Sequence, residues 1–106
     1  MITFIELAGF SKHRKELLTD ESFRQMQEAL IVNPEAGSRI EGTGGFRKLR
    51  WALPSKGKSG GARVIYYSLV PSTGRLYLAL IYPKSERDNL NSAQKAQLKA
   101  LTDKLQ

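Results

Sequence analysis

The sequence contains no cysteine. Disulfides, thiolate metal sites and a cysteine nucleophile are therefore excluded. No apolar run approaches the roughly 18 residues of a membrane span. The N-terminal stretch MITFIELAGFSKHRKE lacks the basic-then-apolar order of a secretory signal. The expectation is a cytoplasmic protein without membrane contact. Histidine occurs once, as His13, which removes any His–His or His–Asp arrangement. A serine triad and a P-loop are also missing. Residues 42–85 have neither Asp nor Glu, so that stretch lacks the oxygen ligands a hard cation needs. No metal and no cofactor are expected.

What is present is positive charge. The 106 residues make one domain, 1–106, with a net charge of +7. Arg47, Lys48, Arg50, Lys56, Lys58, Arg63, Arg75 and Lys84 give residues 42–85 a charge of +8, leaving −1 for the rest of the chain. A concentrated basic stretch is the electrostatic footprint of a polyanion partner. A solvated basic loop is the plain alternative.

Apolar patterning predicts an α+β chain in the order β-α-α-β-β-β-α. Residues 2–8 are β-branched and apolar and predict a strand. Gly9 and Ser11 break it, with Ser11 able to cap a helix over 12–18. Thr19 or Asp20 can cap the next helix. Phe23, Met26 and Leu30 share one helical face, and Asn33-Pro34 ends it. The glycine-rich residues 35–45 predict a connecting loop. Strands follow at 46–53, 62–70 and 75–82, separated by a basic hairpin loop at 54–61 and a turn at 71–74. A helix runs from about Asp88, with Asn91 or Ser92 as its N-cap. Its Leu98, Leu101 and Leu105 are spaced to lie on a sheet. Short connections make the last three strands an antiparallel meander. The mainly antiparallel sheet is expected to carry helices on one face and to leave the other open.

The open face is where chemistry is expected. Leu49, Trp51 and Leu53 share one side of their strand, and Lys48 and Arg50 the other. The hairpin loop places a residue near 63 opposite residues near 50–52, so Arg63 joins Lys48 and Arg50. A one-residue slip would break that cluster. Tyr82 and Lys84 close the last strand at the same end. Such cations without an acidic partner repel one another, and a phosphate relieves the repulsion. The plain alternative is the polar side of an amphipathic strand. A nuclease built from these residues would be metal-free and use the RNA's own 2′-hydroxyl as nucleophile. Arginines suit the pentavalent phosphate, and a lysine crowded by cations can transfer protons. His13, in the N-terminal helical segment, reads as a surface residue.

The stretch GTGGFRKLRWALPSKGKSGGARVIYYSLVPSTGRLYLALIYPKSERDNLNSAQKAQL, residues 42–98, resembles the RelE/ParE toxin superfamily, and its HigB-type members most closely. Three features carry the match. They are the basic strand F-R-K-L-R before a Lys/Gly loop, the arginine opening G-G-A-R-V-I-Y-Y, and the ending L-I-Y-P-K-S-E-R-D-N-L before the last helix. The N-terminal half fits the same pattern, so nearly the whole chain is covered. The resemblance implies a RelE-like fold, a toxin of a type II toxin–antitoxin system and mRNA cleavage on the ribosome. It also implies a cognate antitoxin, DNA-binding and HigA-like. Lys48, Arg50 and Arg63 match the positions that act on the scissile phosphate, and Lys84 matches the basic residue after the last strand. Two positions depart from RelE itself: Ser85 stands where it has an arginine, and Asn91 where it has a tyrosine. Tyr82, Arg87 and Lys56 remain as alternatives for the acid–base role.

Three functions are then open. One is a ribosome-dependent endoribonuclease, with Lys48, Arg50, Arg63, Lys84 and Tyr82 catalytic and Arg47, Lys56, Lys58, Tyr67 and Arg87 gripping RNA. The second is a ParE-like inhibitor of DNA gyrase. The third is a non-catalytic RNA- or ribosome-binding module, which would bind in a salt-sensitive way without cutting. Tyr67 and Tyr82 can stack a base or pack the sheet.

Overall fold

The structure, a computed structural model, describes residues 1–53 and 61–106. Its elements are β1 (Thr3–Glu6), α1 (Ala8–Leu17), α2 (Asp20–Val32), β2 (Ser38–Arg39), β3 (Arg47–Trp51), β4 (Ala62–Leu69), α3 (Val70–Thr73), β5 (Arg75–Pro83) and α4 (Ser92–Leu105). The fold is α+β with a mixed five-stranded sheet, ordered β1-β5-β4-β3-β2. β1 pairs parallel with β5, and the other three pairs are antiparallel. The meander of β3, β4 and β5 is as predicted. The two-residue β2 and the four-residue α3 are additions to the expected order. Both fall in stretches that glycine and proline mark as loop or turn, and neither is long enough to show a period.

Capping and packing explain the helices. Thr19 caps α2, its side chain accepting from the Ser22 N–H at 3.0 Å. Met26 and Leu30 are fully buried, and Trp51 Nε1 donates to Ser22 Oγ at 3.0 Å, pinning α2 to β3. Asn91 caps α4 in a reciprocal capping box with Gln94, so Asp88 precedes the helix instead of opening it. The first helix differs from expectation. It begins at Ala8, with the Leu7 carbonyl taking the N–H groups of Phe10 and Ser11. Gly9 lies inside it because α1 packs closely on β5: a Cβ there would stand 2.9 Å from the Ala79 carbonyl oxygen. Ser11 instead bonds Glu6 at 2.8 Å.

The expected one-sided sheet is corrected. Phe10, Met26, Leu30, Leu53, Val64, Tyr66, Leu76 and Leu78 form a core on one face, with Leu49 and Trp51 against it. A second core of Phe46, Ile65, Tyr67, Tyr77, Ala79, Tyr82, Leu90 and Leu98 lies on the other, with Leu101 and Leu105 packed on it. The cause is the composition of β4 and β5, which are apolar at successive positions and therefore hydrophobic on both faces. Helix α4 covers the second face. Only the end of that face toward β3 stays polar. Among the described residues no helix is long and apolar enough to cross a membrane.

Gly61 sets the return into β4. Its φ is +72°, and a Cβ would collide with the Trp51 carbonyl oxygen. Gly61→Ala is therefore expected to cost about 2 kcal/mol or more, from the left-handed backbone alone and then from the clash. Chemical denaturation checks this; a midpoint equal to wild type would contradict the geometry.

Candidate nucleic-acid interface

Strand pairing builds the site. β3 and β4 meet with Arg50 opposite Arg63 and Lys48 opposite Ile65, the register expected from the hairpin. β5 adds Tyr82 opposite Arg63. Residues directly opposite share a face, so Lys48, Arg50, Arg63 and Tyr82 stand together on the face that α4 partly covers. There the segment before α4, residues 88–89, reaches Lys48, Arg63 and Tyr82. Arg50 is exposed. The Lys48 side chain is 15% exposed and that of Arg63 only 4%. A hollow of about 380 Å³ opens beside them, lined by Ala36, Ser38, Lys48, Leu49 and Arg50.

The cluster has an acidic partner, contrary to expectation. Asp88, from the segment between β5 and α4, accepts from Arg63 Nε through Oδ1 at 2.8 Å. The same oxygen lies 3.8 Å from Lys48 Nζ. Lys48 also donates to the Asp88 carbonyl at 3.3 Å and to Asn89 Oδ1 at 2.8 Å. The sequence stretch without carboxylates ends before Asp88, and the loop folds that residue back over the sheet. The hydrogen bond from Arg63 holds the Asp88 carboxyl below its ordinary range, with Lys48 and Arg50 adding to the effect and partial burial opposing it.

That depression has a sign. A carboxylate whose folded pKa lies below its unfolded value stabilises the fold above the unfolded value, near pH 4. The contribution fades as pH falls through the depressed folded value. A ¹³Cγ titration of Asp88 is expected to give a midpoint below the usual aspartate range, returning toward it in Arg63→Gln. An ordinary midpoint in the wild type would contradict the ion pair.

The other predicted residues divide. Tyr82 is in the cluster but buried, and its hydroxyl donates to the Asp88 carbonyl at 3.3 Å. Burial pushes that hydroxyl's pKa up. Arg87 lies 5.7 Å from the Tyr82 ring centroid. Lys84 is exposed just beyond β5, its backbone N–H bonded to the Gly61 carbonyl at 2.9 Å. Lys56 and Lys58 lie outside the described residues.

Two candidates for gripping RNA are corrected. Arg47 pairs with Tyr66 and so points to the opposite face. It donates there to the Gly37 carbonyl at 2.8 Å and holds the β2 loop. Tyr67 is buried, its ring 5.1 Å from Phe46 and its hydroxyl bonded to Gln106. It packs the second core and offers no ring to a base. His13 is exposed on α1 and lines a separate hollow of about 470 Å³ with Lys12, Glu16, Tyr82 and Arg87.

Two residues escaped the sequence reading. Asp88 was visible as a charge but not as a neighbour. Tyr66, in the first core, donates to the Pro34 carbonyl at 2.8 Å and accepts from the Gly37 N–H at 2.9 Å. It thus fixes the loop that edges the hollow. A tyrosine in an apolar strand gives no local sign of such a bond. No protein-family model matches the chain.

Proposed function

We propose that this chain is a RelE/ParE-type toxin, HigB-like, that cuts translated mRNA on the ribosome and is neutralised by a HigA-like antitoxin. The observation that supports this reading best is the Arg50–Arg63 pairing, which gathers Lys48, Arg50 and Arg63 on one face beside a hollow. Several cations facing one carboxylate suit a phosphodiester, whose oxygens accept from arginine in bidentate fashion.

The chemistry proposed is attack of the RNA 2′-oxygen on the adjacent phosphorus. The bond from phosphorus to the 5′-oxygen breaks, leaving a 2′,3′-cyclic phosphate and a 5′-hydroxyl. One proton leaves the 2′-hydroxyl and one reaches the 5′-oxygen. Arg63 and Arg50 stabilise the charge that gathers on the phosphoryl oxygens. Lys48 and Lys84 are the cations available for proton transfer.

A second reading, a binding module that grips RNA or the ribosome without cutting, draws on two observations. The Tyr82 hydroxyl is buried and already donating, and Asp88 is held as a weak base. Induction of the chain alone in bacteria, with primer extension on a reporter mRNA, separates the two. Cuts confined to translated codons support the nuclease. Growth arrest without cuts favours the binding module or a gyrase inhibitor, which a supercoiling assay then tells apart.

A further inference from the structure

The segment joining β5 to α4, residues 84–91, is neither helix nor strand, and its ends are anchored separately. At the near end the Lys84 N–H bonds the Gly61 carbonyl and the Glu86 N–H bonds the Pro83 carbonyl, at 2.9 and 3.0 Å. At the far end Leu90 is buried and Asn91 closes the capping box. Between these anchors the segment offers three oxygens to the basic face. Asp88 Oδ1 meets Arg63 at 2.8 Å and Lys48 at 3.8 Å. The Asp88 carbonyl meets Lys48 and the Tyr82 hydroxyl, each at 3.3 Å. Asn89 Oδ1 meets Lys48 at 2.8 Å. One charged and two neutral oxygens, presented to a guanidinium, an ammonium and a phenol, match the acceptors that an RNA phosphodiester would present to the same donors.

We propose that Asp88 is an internal stand-in for the phosphate. The 84–91 segment closes the anion seat in the resting protein, and an RNA phosphodiester enters by displacing the Asp88 carboxylate from Arg63. This inference rests on the reading of the basic face as a phosphate site. Two features set the contact apart from a structural pin. The Asp88 side chain is 40% exposed and Asn89 is exposed, so both side chains can turn away while Leu90 stays buried in the second core. Arg50, exposed and directly opposite Arg63, has no bonded partner among the described residues and stands where an incoming phosphate makes its first contact. The segment therefore trades one anion for another at Arg63, and the protein binds RNA more weakly than its cations alone would allow.

The test is binding of a 2′-O-methyl pentaribonucleotide, which cannot be cut, to the wild type and to Asp88→Asn at low salt by fluorescence anisotropy. Asp88→Asn keeps the shape and removes the charge. The stand-in predicts roughly tenfold tighter binding by the variant, the size of one charge-assisted contact no longer competed for. Equal or weaker binding by the variant would overturn the stand-in, because a pin that merely positions Arg63 would lose affinity when removed. If neither protein binds, the phosphate reading of the face fails instead. A second measurement needs no variant. Saturating the wild type with the oligonucleotide is expected to move the Asp88 ¹³Cγ titration back toward the ordinary aspartate range; a bound complex with the midpoint unmoved would overturn displacement.

Discussion

Under the proposed nuclease activity, Arg63→Ala is expected to reduce mRNA cleavage by about 100- to 1,000-fold, the loss that follows removal of one preorganised donor to a charged transition state. Arg63 opens β4 directly opposite Arg50, with Tyr82 opposite it on the other side. It is therefore the central member of the basic face, held between two paired strands. Its side chain is 4% exposed and its backbone is paired on both sides, so burial between the strands sets its orientation before any RNA arrives. Preorganisation of this kind is what makes a donor effective, since no reorganisation is needed as charge develops. The fold should survive the substitution. The Asp88 side chain is 40% exposed and regains solvent when its partner is removed, so no unpaired charge is left buried. Arg63→Lys keeps the charge and loses the planar fork, so its rate should fall between the two. The measurement is the rate of cutting in a reconstituted translation reaction, with thermal unfolding followed by circular dichroism on the same samples. A folded Arg63→Ala protein that cuts at the wild-type rate would remove Arg63 from the chemistry and with it the proposed centre of the site.

The sequence made local features legible and long-range closures much less so. The Arg50–Arg63 register was readable because a hairpin loop of known length ties two strands together, and strand alternation then fixes the face. The same alternation already assigned Arg47 to the side of Leu49, and its placement among RNA contacts ran against that parity. Thr19 and Asn91 were readable because a cap acts within three residues. Asp88 was not, since its partner Arg63 is 25 residues away and the loop between β5 and α4 carries no periodic signal. The position of α4 was half legible. Leu98, Leu101 and Leu105 announced a helix lying on a sheet, and the unbroken apolar runs of β4 and β5 announced a sheet needing cover on both faces. Antiparallel pairing permits one open face, and the composition of these two strands removes that option.

That second face supplies the largest expected stability effect. Phe46→Ala should destabilise the protein by about 3–5 kcal/mol, the range for deleting a buried aromatic ring. Phe46 is fully buried although it precedes the basic β3. Its ring lies 5.1 Å from that of Tyr67, whose hydroxyl receives the C-terminal Gln106. One ring thus joins the start of β3, the middle of β4 and the end of α4. The backbone around it is equally constrained. Thr43 Oγ1 accepts from the Phe46 N–H at 3.1 Å and donates to the Ile40 carbonyl at 2.7 Å, while the Phe46 carbonyl takes the Ile40 N–H at 2.9 Å. A turn pinned at three points cannot collapse into the space the ring leaves, which places the cost toward the upper part of the range. For a domain of this size each kcal/mol lowers the melting temperature by about 4–8 °C, so the variant should melt well below the wild type. A loss under about 1 kcal/mol would mean that α4 does not rest on this face. The basic cluster would then lie on an open sheet, as the one-sided reading expected, and Asp88 would lose the anchored helix that brings it to Arg63.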